Sequence, residues 1–245
     1  MKAFNLLRKW NPGKLTGVID YWEFDEIQSP HTTNISLLTG LLGRATYSQS
    51  SGAAQPSFLY NGVNKYPGLS FSVDDYMQIT GAIPGLFGGH DTPHFSWFTA
   101  HVDDIGAVQS MWSIGRTTSN TPFHAARIAL SGIFTVSRRG EDTVLKNTTV
   151  PGITVVGNPF SIVTRFNGQT EDIWQNRFTW NSSLDANTLG TIDNMLLGAL
   201  GLGAGISQGC SMRIASHGFG IGAPDDTEMR KLVEYNMGKY QLFDL

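Results

Sequence analysis

A cluster of acidic residues near the start of the chain has the side chains that glycosidic-bond hydrolysis needs. Asp20, Glu23, Asp25 and Glu26 lie close together in the sequence. Glycoside hydrolases place two carboxyl groups about 5–10 Å apart across the bond that breaks. On an extended strand, Glu23 and Asp25 point to one face and Glu26 to the other. The pattern therefore supplies at most two acids to one face, and the competing interpretation is an ordinary solvated strand edge.

Aromatic residues interleaved with amides form a second candidate site, because such rings can stack on sugars while their polar atoms form hydrogen bonds. Trp174 and Trp180 fall on one face of a predicted strand that starts at Glu171. Trp112 with Arg116 forms another candidate pair. We predict that these residues contact any bound glycan, while the same spacing is also typical of a buried sheet face.

Metal ligands do not recur at the spacing of a metal site, and no metal is predicted. His90 and His94 follow two glycines and flank Pro93, so they cannot share a helical face. Calcium is the one ion kept as an option, bound by loop acids. The loop acids that could bind it are Asp74, Asp75, Asp103, Asp104 and Asp185. No organic cofactor is predicted, since the glycines from Gly201 to Gly205 lead into a strand rather than a helix.

Composition excludes several classes of protein. The 245 residues carry a formal net charge of −3, and no run of Lys and Arg exceeds two residues. Nucleic-acid binding through phosphates needs a basic face, so it is not predicted. The sequence shows no stretch that would insert into a membrane and no usual signal peptide. Cys210 is the only cysteine, which rules out an intrachain disulfide.

Turn signals at short intervals predict an all-β chain. Ser131-Gly132 and Asn167-Gly168 mark tight turns between strands, and no helical period occurs before residue 225. The end of the chain is different, because Asp225 and Glu228 have the spacing of a capping box before a helical apolar pattern. We predict a two-sheet antiparallel sandwich closed by one helix over residues 225–239.

Three segments carry a resemblance to a known superfamily: residues 65–77, residues 95–103, and an ending formed by residues 196–198, the strand from Cys210 and the helix that closes at Tyr240. In this order they resemble the laminin-G-like, concanavalin A-like jelly-roll superfamily. That resemblance implies an antiparallel jelly-roll sandwich with one C-terminal α-helix. The superfamily includes lectins, polysaccharide hydrolases and structural proteins of phages, so fold does not settle function.

The predicted organisation is an N-terminal arm over residues 1–15 followed by the sandwich over residues 16–245. Leu6, Leu7 and Trp10 would form the apolar face of the arm, which we expect to attach the chain to its own domain or to a neighbouring subunit. Copies without a signal peptide resemble those in phage virions. We therefore predict a non-enzymatic, homo-oligomeric virion protein (head decoration, fibre or tail), assembled in the host cytoplasm with other virion proteins and able to bind surface glycans. The alternatives are a polysaccharide hydrolase and a lectin module.

Overall fold

The structure is a computed structural model that describes residues 10–26, 34–88, 92–103, 105–154, 156–176, 178–183, 189–202 and 205–242. Its helices are α1 (Ala82–Gly85) and α2 (Asp226–Lys239), with 3-10 turns at Pro12–Lys14 and Gly52–Ala54. The strands are β1 (Val18–Glu23), β2 (Leu37–Thr39), β3 (Thr46–Ser48), β4 (Ser57–Val63), β5 (Tyr66–Phe71), β6 (Met77–Thr80), β7 (His94–Val102), β8 (Gln109–Arg116), β9 (Ser119–Ile128), β10 (Ile133–Arg139), β11 (Leu145–Thr154), β12 (Phe160–Phe166), β13 (Thr170–Gln175), β14 (Phe178–Ser183), β15 (Asn194–Leu197), β16 (Leu200–Leu202), β17 (Gly205–Ser207) and β18 (Met212–Ile221).

The described strands form two eight-stranded antiparallel sheets and a two-stranded ribbon. Sheet A has the order β14-β13-β12-β7-β18-β5-β4, with β1 beside the second half of β18. Sheet B has the order β11-β10-β9-β8-β15-β6-β3-β2, and β16 pairs with β17 in the ribbon. The predicted all-β jelly-roll sandwich with one C-terminal helix is confirmed.

The main core lies between the two sheets, because alternate residues of each strand point inward. Trp22, Phe98, Trp112 and Phe134 are among the fully buried side chains of this layer. Burying such side chains stabilises the fold by about 1.5–3 kcal/mol each. The inner faces of both sheets are therefore covered by packed side chains.

A second apolar layer covers the outer face of sheet A. Helix α2 presents Met229, Leu232 and Val233 to that face, where Trp97 and Trp174 are buried. On the other side of the sandwich, the β16–β17 ribbon covers only a part of sheet B, with Leu200 packed on Phe123 and Ala125. The two outer faces thus differ, since an amphipathic helix lies over one and a short ribbon over the other.

Helix α2 begins where the capping signal predicts. The Asp225 side chain accepts a hydrogen bond from the Glu228 backbone N–H at 2.8 Å, which satisfies one of the unpaired donors of the first turn. Arg165 from β12 then fastens this end of the helix, because it contacts Asp172 at 2.6 Å and Asp226 at 2.7 Å. No helix in the described part of the chain is both long and apolar enough to span a bilayer.

The segment from Glu171 to Trp180 departs from the prediction of one continuous strand. It forms the β13–β14 hairpin, with Asn176 in the left-handed region at φ 51°. Trp180 is the cross-strand partner of Ile173, a residue of the inner core, whereas Trp174 packs under α2. The two tryptophans therefore lie on opposite faces of sheet A. Strand β11 and the one-turn helix α1 were not predicted.

Candidate functional site

A groove lies on the outer face of sheet B, across β9, β10 and β11. In β9, Ile128 points into the core and Arg127 points outward; in β10, Val136 is inward and Ser137 outward. The cross-strand register brings outward residues side by side, with Arg127 opposite Thr135 and Ser137 opposite Asn147. The alternation of a half-buried sheet thus places a row of polar side chains along this face.

The groove encloses about 300 Å³ and mixes hydroxyl, amide and aliphatic groups with one cation. Its lining consists of Val108, Arg127, Ala129, Thr135, Ser137, Leu145, Asn147 and Thr149. Five of its eight lining residues are polar, so the groove can offer several hydrogen bonds to a ligand. None of the lining side chains is a carboxylate, so the groove has no acid to neutralise Arg127.

Arg127 is the dominant charged group of the groove. One of its terminal nitrogens donates to Ser137 Oγ at 3.0 Å, while its Nε–H is buried without a hydrogen-bond partner. Burial, and to a smaller extent the positive charge of Arg139, lowers the pKa of Arg127. A guanidinium in this state is stabilised by an anion, which would supply the opposite charge.

A second arginine on the same face reinforces the positive charge. Arg139 lies two residues beyond Ser137, with its guanidinium 5.6 Å from the Phe123 ring centroid. Among the described residues, no carboxylate forms a hydrogen bond or an ion pair with Arg127 or Arg139. The chain as a whole has a net charge of −3, so the positive charge on this face contrasts with the net negative charge of the protein.

The residues predicted to stack on sugars are placed elsewhere. Trp174 is 3% exposed beneath α2, and Trp112 is 1% exposed in the inter-sheet core. Arg116 donates to Glu141 Oε1 at 2.6 Å and to the Thr191 carbonyl at 3.1 Å. Trp180, 42% exposed on the edge strand β14, is the one ring of this set that a ligand can reach. The alternative interpretation, a buried sheet face, describes Trp174 and Trp112.

The acidic cluster forms a structural contact with the helix. Lys239 Nζ lies 2.8 Å from Glu23 Oε2, 3.2 Å from Asp25 Oδ1 and 3.3 Å from Glu26 Oε1. Glu23 is 1% exposed, and burial raises its pKa although Lys239 opposes that shift. The cluster is therefore neither the solvated strand edge that the sequence suggested nor two acids facing each other across an open cleft.

Two of the histidines, His94 and His124, are also internal. His94 Nε2 lies 2.7 Å from His124 Nδ1, and His124 Nε2 lies 3.4 Å from Glu171 Oε2. All three side chains are at most 3% exposed between the sheets, so no ligand reaches them. His90 lies outside the described residues. Among the residues that the structure describes, no group of three or more His, Cys, Asp or Glu is arranged to hold a metal ion.

Two of the loop acids considered for calcium, Asp75 and Asp103, have other partners. Both carboxylate oxygens of Asp103 accept from Arg213. Asp75 accepts from the Ser72 backbone N–H at 2.7 Å, which is turn chemistry. Asp104 and Asp185 lie outside the described residues.

Sequence reasoning missed every polar residue of the groove. The usable signal was the alternation of outward polar residues in the predicted β9–β10 hairpin, where Arg127, Thr135 and Ser137 interrupt apolar runs. Asn147 and Thr149 gave no comparable signal, because β11 contains Pro151 and Gly152 and does not resemble a strand. Only the sheet register brings these residues together.

The architecture defines the chain as a β-sandwich of the jelly-roll type. No protein-family model and no curated protein matches the sequence. Solved structures do match its fold. The CBM40 of the Ruminococcus gnavus IT-sialidase, bound to alpha2,3 sialyllactose, has a TM-score of 0.57 at 12% identity and covers 68% of this chain and 96% of its own.

Two sialidases match as well. The Trypanosoma rangeli sialidase in complex with sialic acid has a TM-score of 0.60 at 10% identity, over 89% of this chain and 32% of its own. The NanB sialidase of Streptococcus pneumoniae has a TM-score of 0.52 at 14% identity, over 62% of this chain and 25% of its own. This chain thus spans a quarter to a third of the length of these sialidases, and the likeness concerns the fold.

These matches correct one prediction. The expectation that the chain has no enzymatic activity was wrong, because the structures that share its fold include sialidases as well as a CBM40 domain. A fold that occurs in enzymes is compatible with an enzyme. The structures named here do not show the predicted resemblance to phage proteins.

Proposed function

We propose that this chain binds glycans and that its ligand site is the groove on the outer face of sheet B, with a sialic-acid-terminated glycan as the ligand. The observation that carries the proposal is Arg127, a half-buried cation with an unpartnered Nε–H and no carboxylate among the groove's lining residues. Sialic acid supplies a carboxylate, and guanidinium groups bind carboxylates with two parallel hydrogen bonds. The ligands bound in two of the similar structures, sialyllactose and sialic acid, support this choice.

The test compares 3′-sialyllactose with lactose, which lacks the sialic acid. Binding is followed by NMR titration of the ¹⁵N-labelled full chain, so that shifted resonances also report the location of the site. We expect 3′-sialyllactose to perturb β9, β10 and β11, and Arg127→Gln to weaken its affinity roughly ten-fold or more, since a charge-assisted pair is lost.

Arg230→Gln is the matched control, because it removes the same charge from the exposed side of α2. Equal affinities of the two variants, or shifts confined to another surface, would refute the proposed site. Release of free sialic acid, measured in the same samples, reports whether the chain also cleaves its ligand.

The virion role stays a prediction, as do homo-oligomerisation and location in a phage particle. Leu6 and Leu7 of the proposed arm lie outside the described residues. Trp10 makes an edge-on contact with Tyr235 of the chain's own helix at 5.5 Å between ring centroids. If the arm drives assembly, deleting residues 1–12 lowers the mass measured by light scattering while the circular dichroism spectrum is retained; an unchanged mass contradicts the arm.

A further inference from the structure

We infer that Ser137 is a positioning residue that turns the groove into a cluster of hydrogen-bond donors, so that the groove selects an anionic group over a neutral sugar. The inference rests on the proposed function and concerns the specificity of the same site. It follows from the direction of each hydrogen bond along the row Arg127–Ser137–Asn147.

The direction of the first bond is fixed by chemistry. Arg127 Nη1 lies 3.0 Å from Ser137 Oγ, and a guanidinium can only donate. Ser137 Oγ therefore accepts this bond, and its single hydrogen is left for another partner. That partner is Asn147 Oδ1, which lies 2.7 Å from Ser137 Oγ. Ser137 is 1% exposed, so bulk water does not compete for either bond.

This relay favours one orientation of the Asn147 amide, because the buried serine hydrogen needs an acceptor. Because the carbonyl oxygen of Asn147 faces Ser137, the Nδ2 group with its two hydrogens is directed away from that bond, on an exposed side chain. Without Ser137, the amide could rotate by half a turn and present its oxygen instead. The serine hydroxyl thus favours the orientation in which Asn147 offers a ligand a donor.

The other polar groups of the groove also present hydrogen-bond donors. The Nε–H of Arg127 has no acceptor. Thr135 Oγ1 and Thr149 Oγ1 lie 3.1 Å apart, so one hydroxyl hydrogen joins them and the other remains for a ligand. A site made of donors beside a cation matches a carboxylate or a sulfate, which only accept. A neutral sugar hydroxyl gains less, because its own hydrogen finds few acceptors.

A purely structural role for Ser137 makes a different prediction. Ser137 and Asn147 are directly opposite each other in the β10–β11 ladder, where a side-chain bond could simply support the strand pair. In that case substitutions would change stability and leave ligand selectivity alone. Selectivity is therefore the quantity that separates the two roles.

The decisive variant is Asn147→Asp, which keeps the size of the side chain and replaces a donor with an acceptor. We expect its affinity for 3′-sialyllactose to fall at least ten-fold with no loss of thermal stability, because the new carboxylate offers Arg127 an internal anion. Asn61→Asp, an exposed position on β4, adds the same charge to the opposite sheet and is the control. Equal affinities of these two variants overturn the inference.

Ser137 is tested with a pair of substitutions. Ser137→Ala removes the relay and is expected to reduce the preference for 3′-sialyllactose over lactose three-fold or more. Ser137→Thr keeps the hydroxyl and is expected to retain that preference. A preference that is unchanged in Ser137→Ala, or lost equally in Ser137→Thr, indicates a structural serine and overturns the inference.

Inorganic sulfate provides a readout that does not need a glycan. Titrating the full chain with sodium sulfate should shift the Arg127 Nε–H resonance in the wild type and in Asn61→Asp, but not in Asn147→Asp. Sulfate binding without glycan binding would refute the proposed function and support the donor cluster. Glycan binding that depends on Arg127 but is unaffected by substitutions at Ser137 and Asn147 would support the proposed function and refute the donor cluster. If neither sulfate nor the glycan binds, both are refuted.

Discussion

The buried carboxylate of Asp20 is held in place by several hydrogen bonds. Asp20 is 0% exposed, and its two oxygens accept four backbone N–H groups of a tight loop and of its own strand. The donors are Tyr21 at 2.9 Å, Leu42 at 2.9 Å, Arg44 at 2.7 Å and Ala45 at 2.7 Å. The loop is therefore shaped around a carboxylate rather than around apolar contacts.

Gly40 is the position that leaves room for this carboxylate. A Cβ atom at residue 40 would lie 2.1 Å from Asp20 Cγ, and the four hydrogen bonds prevent Asp20 from moving aside. We expect Gly40→Ala to lower the free energy of unfolding by about 3 kcal/mol, through overpacking and lost hydrogen bonds. Urea denaturation measures this change. Gly52→Ala, where nothing lies within 4 Å of the added methyl, should change it by less than about 0.5 kcal/mol; similar costs for both would refute the argument.

His217 is a neutral histidine built into the core. Its ring stacks on Phe98 at 4.6 Å, Nδ1 lies 3.0 Å from the Trp97 carbonyl, and Nε2 lies 3.1 Å from the Tyr47 hydroxyl. Because a carbonyl only accepts, Nδ1 carries the hydrogen and Nε2 accepts from the tyrosine. Burial lowers the pKa of His217 to about 3.

That pKa predicts a loss of stability in acid. The unfolded histidine titrates near 6.5 and the folded one near 3, so the unfolded state binds the proton first. The stabilisation is complete above about pH 6.5 and is lost as the pH falls toward 3, with a slope of about 1.4 kcal/mol per pH unit for one group. His217→Phe keeps an aromatic ring and should reduce the measured slope between pH 6 and 4 by about one proton. A slope equal to that of the wild type would contradict the assignment.

At the scale of elements, helix α2 is attached to sheet A by charges at both ends and apolar contacts between them. Arg165 holds its start, and Lys239 holds its end against β1 and the residues that follow it. Burial opposes the charge on Lys239, but Glu23, Asp25 and Glu26 outweigh it and raise the pKa of the lysine. The acidic cluster is thus explained by the position of one lysine.

Removing that lysine should loosen the end of the helix. Lys239→Met leaves the buried Glu23 carboxylate without its counterion, and we expect a loss of about 3 kcal/mol in unfolding free energy together with faster amide exchange in the last turns of α2. Lys231→Met, on the exposed side of the same helix, is the control. Adding Glu23→Gln to Lys239→Met should recover part of the loss. Additive effects of the two substitutions would show that the pair is not coupled.

The elements that could be predicted from sequence are those whose own residues specify them. The capping residues of α2, the Gly132 turn of the β9–β10 hairpin and the apolar β7 are local signals, and the structure confirms them. Strand β11 is different, because Pro and Gly inside it hide a strand that exists through pairing with β10. The groove depends on that pairing, and the site could therefore not be found from local patterns.

At the scale of the whole molecule, packed side chains fill the space between the two sheets. Helix α2 covers the outer face of sheet A, and the groove lies on the outer face of sheet B. Arg127 lines the groove and Arg139 lies on the same face, whereas the chain has a formal net charge of −3. An anionic ligand is therefore repelled weakly at long range and attracted at short range. The balance of the two depends on salt, because the Debye length is about 10 Å at 0.1 M ionic strength.

This balance predicts the salt dependence of ligand binding. Attraction at the groove acts over a few ångströms and is only partly screened, so the affinity for 3′-sialyllactose should fall about three- to ten-fold between 0.05 and 0.5 M NaCl. Arg127→Gln should flatten this dependence, because it removes the one charged residue that lines the groove. Calorimetric titration at several salt concentrations measures both slopes. An affinity that rises with salt would mean that repulsion by the net negative chain outweighs the arginines, and the groove would then not be the anion site.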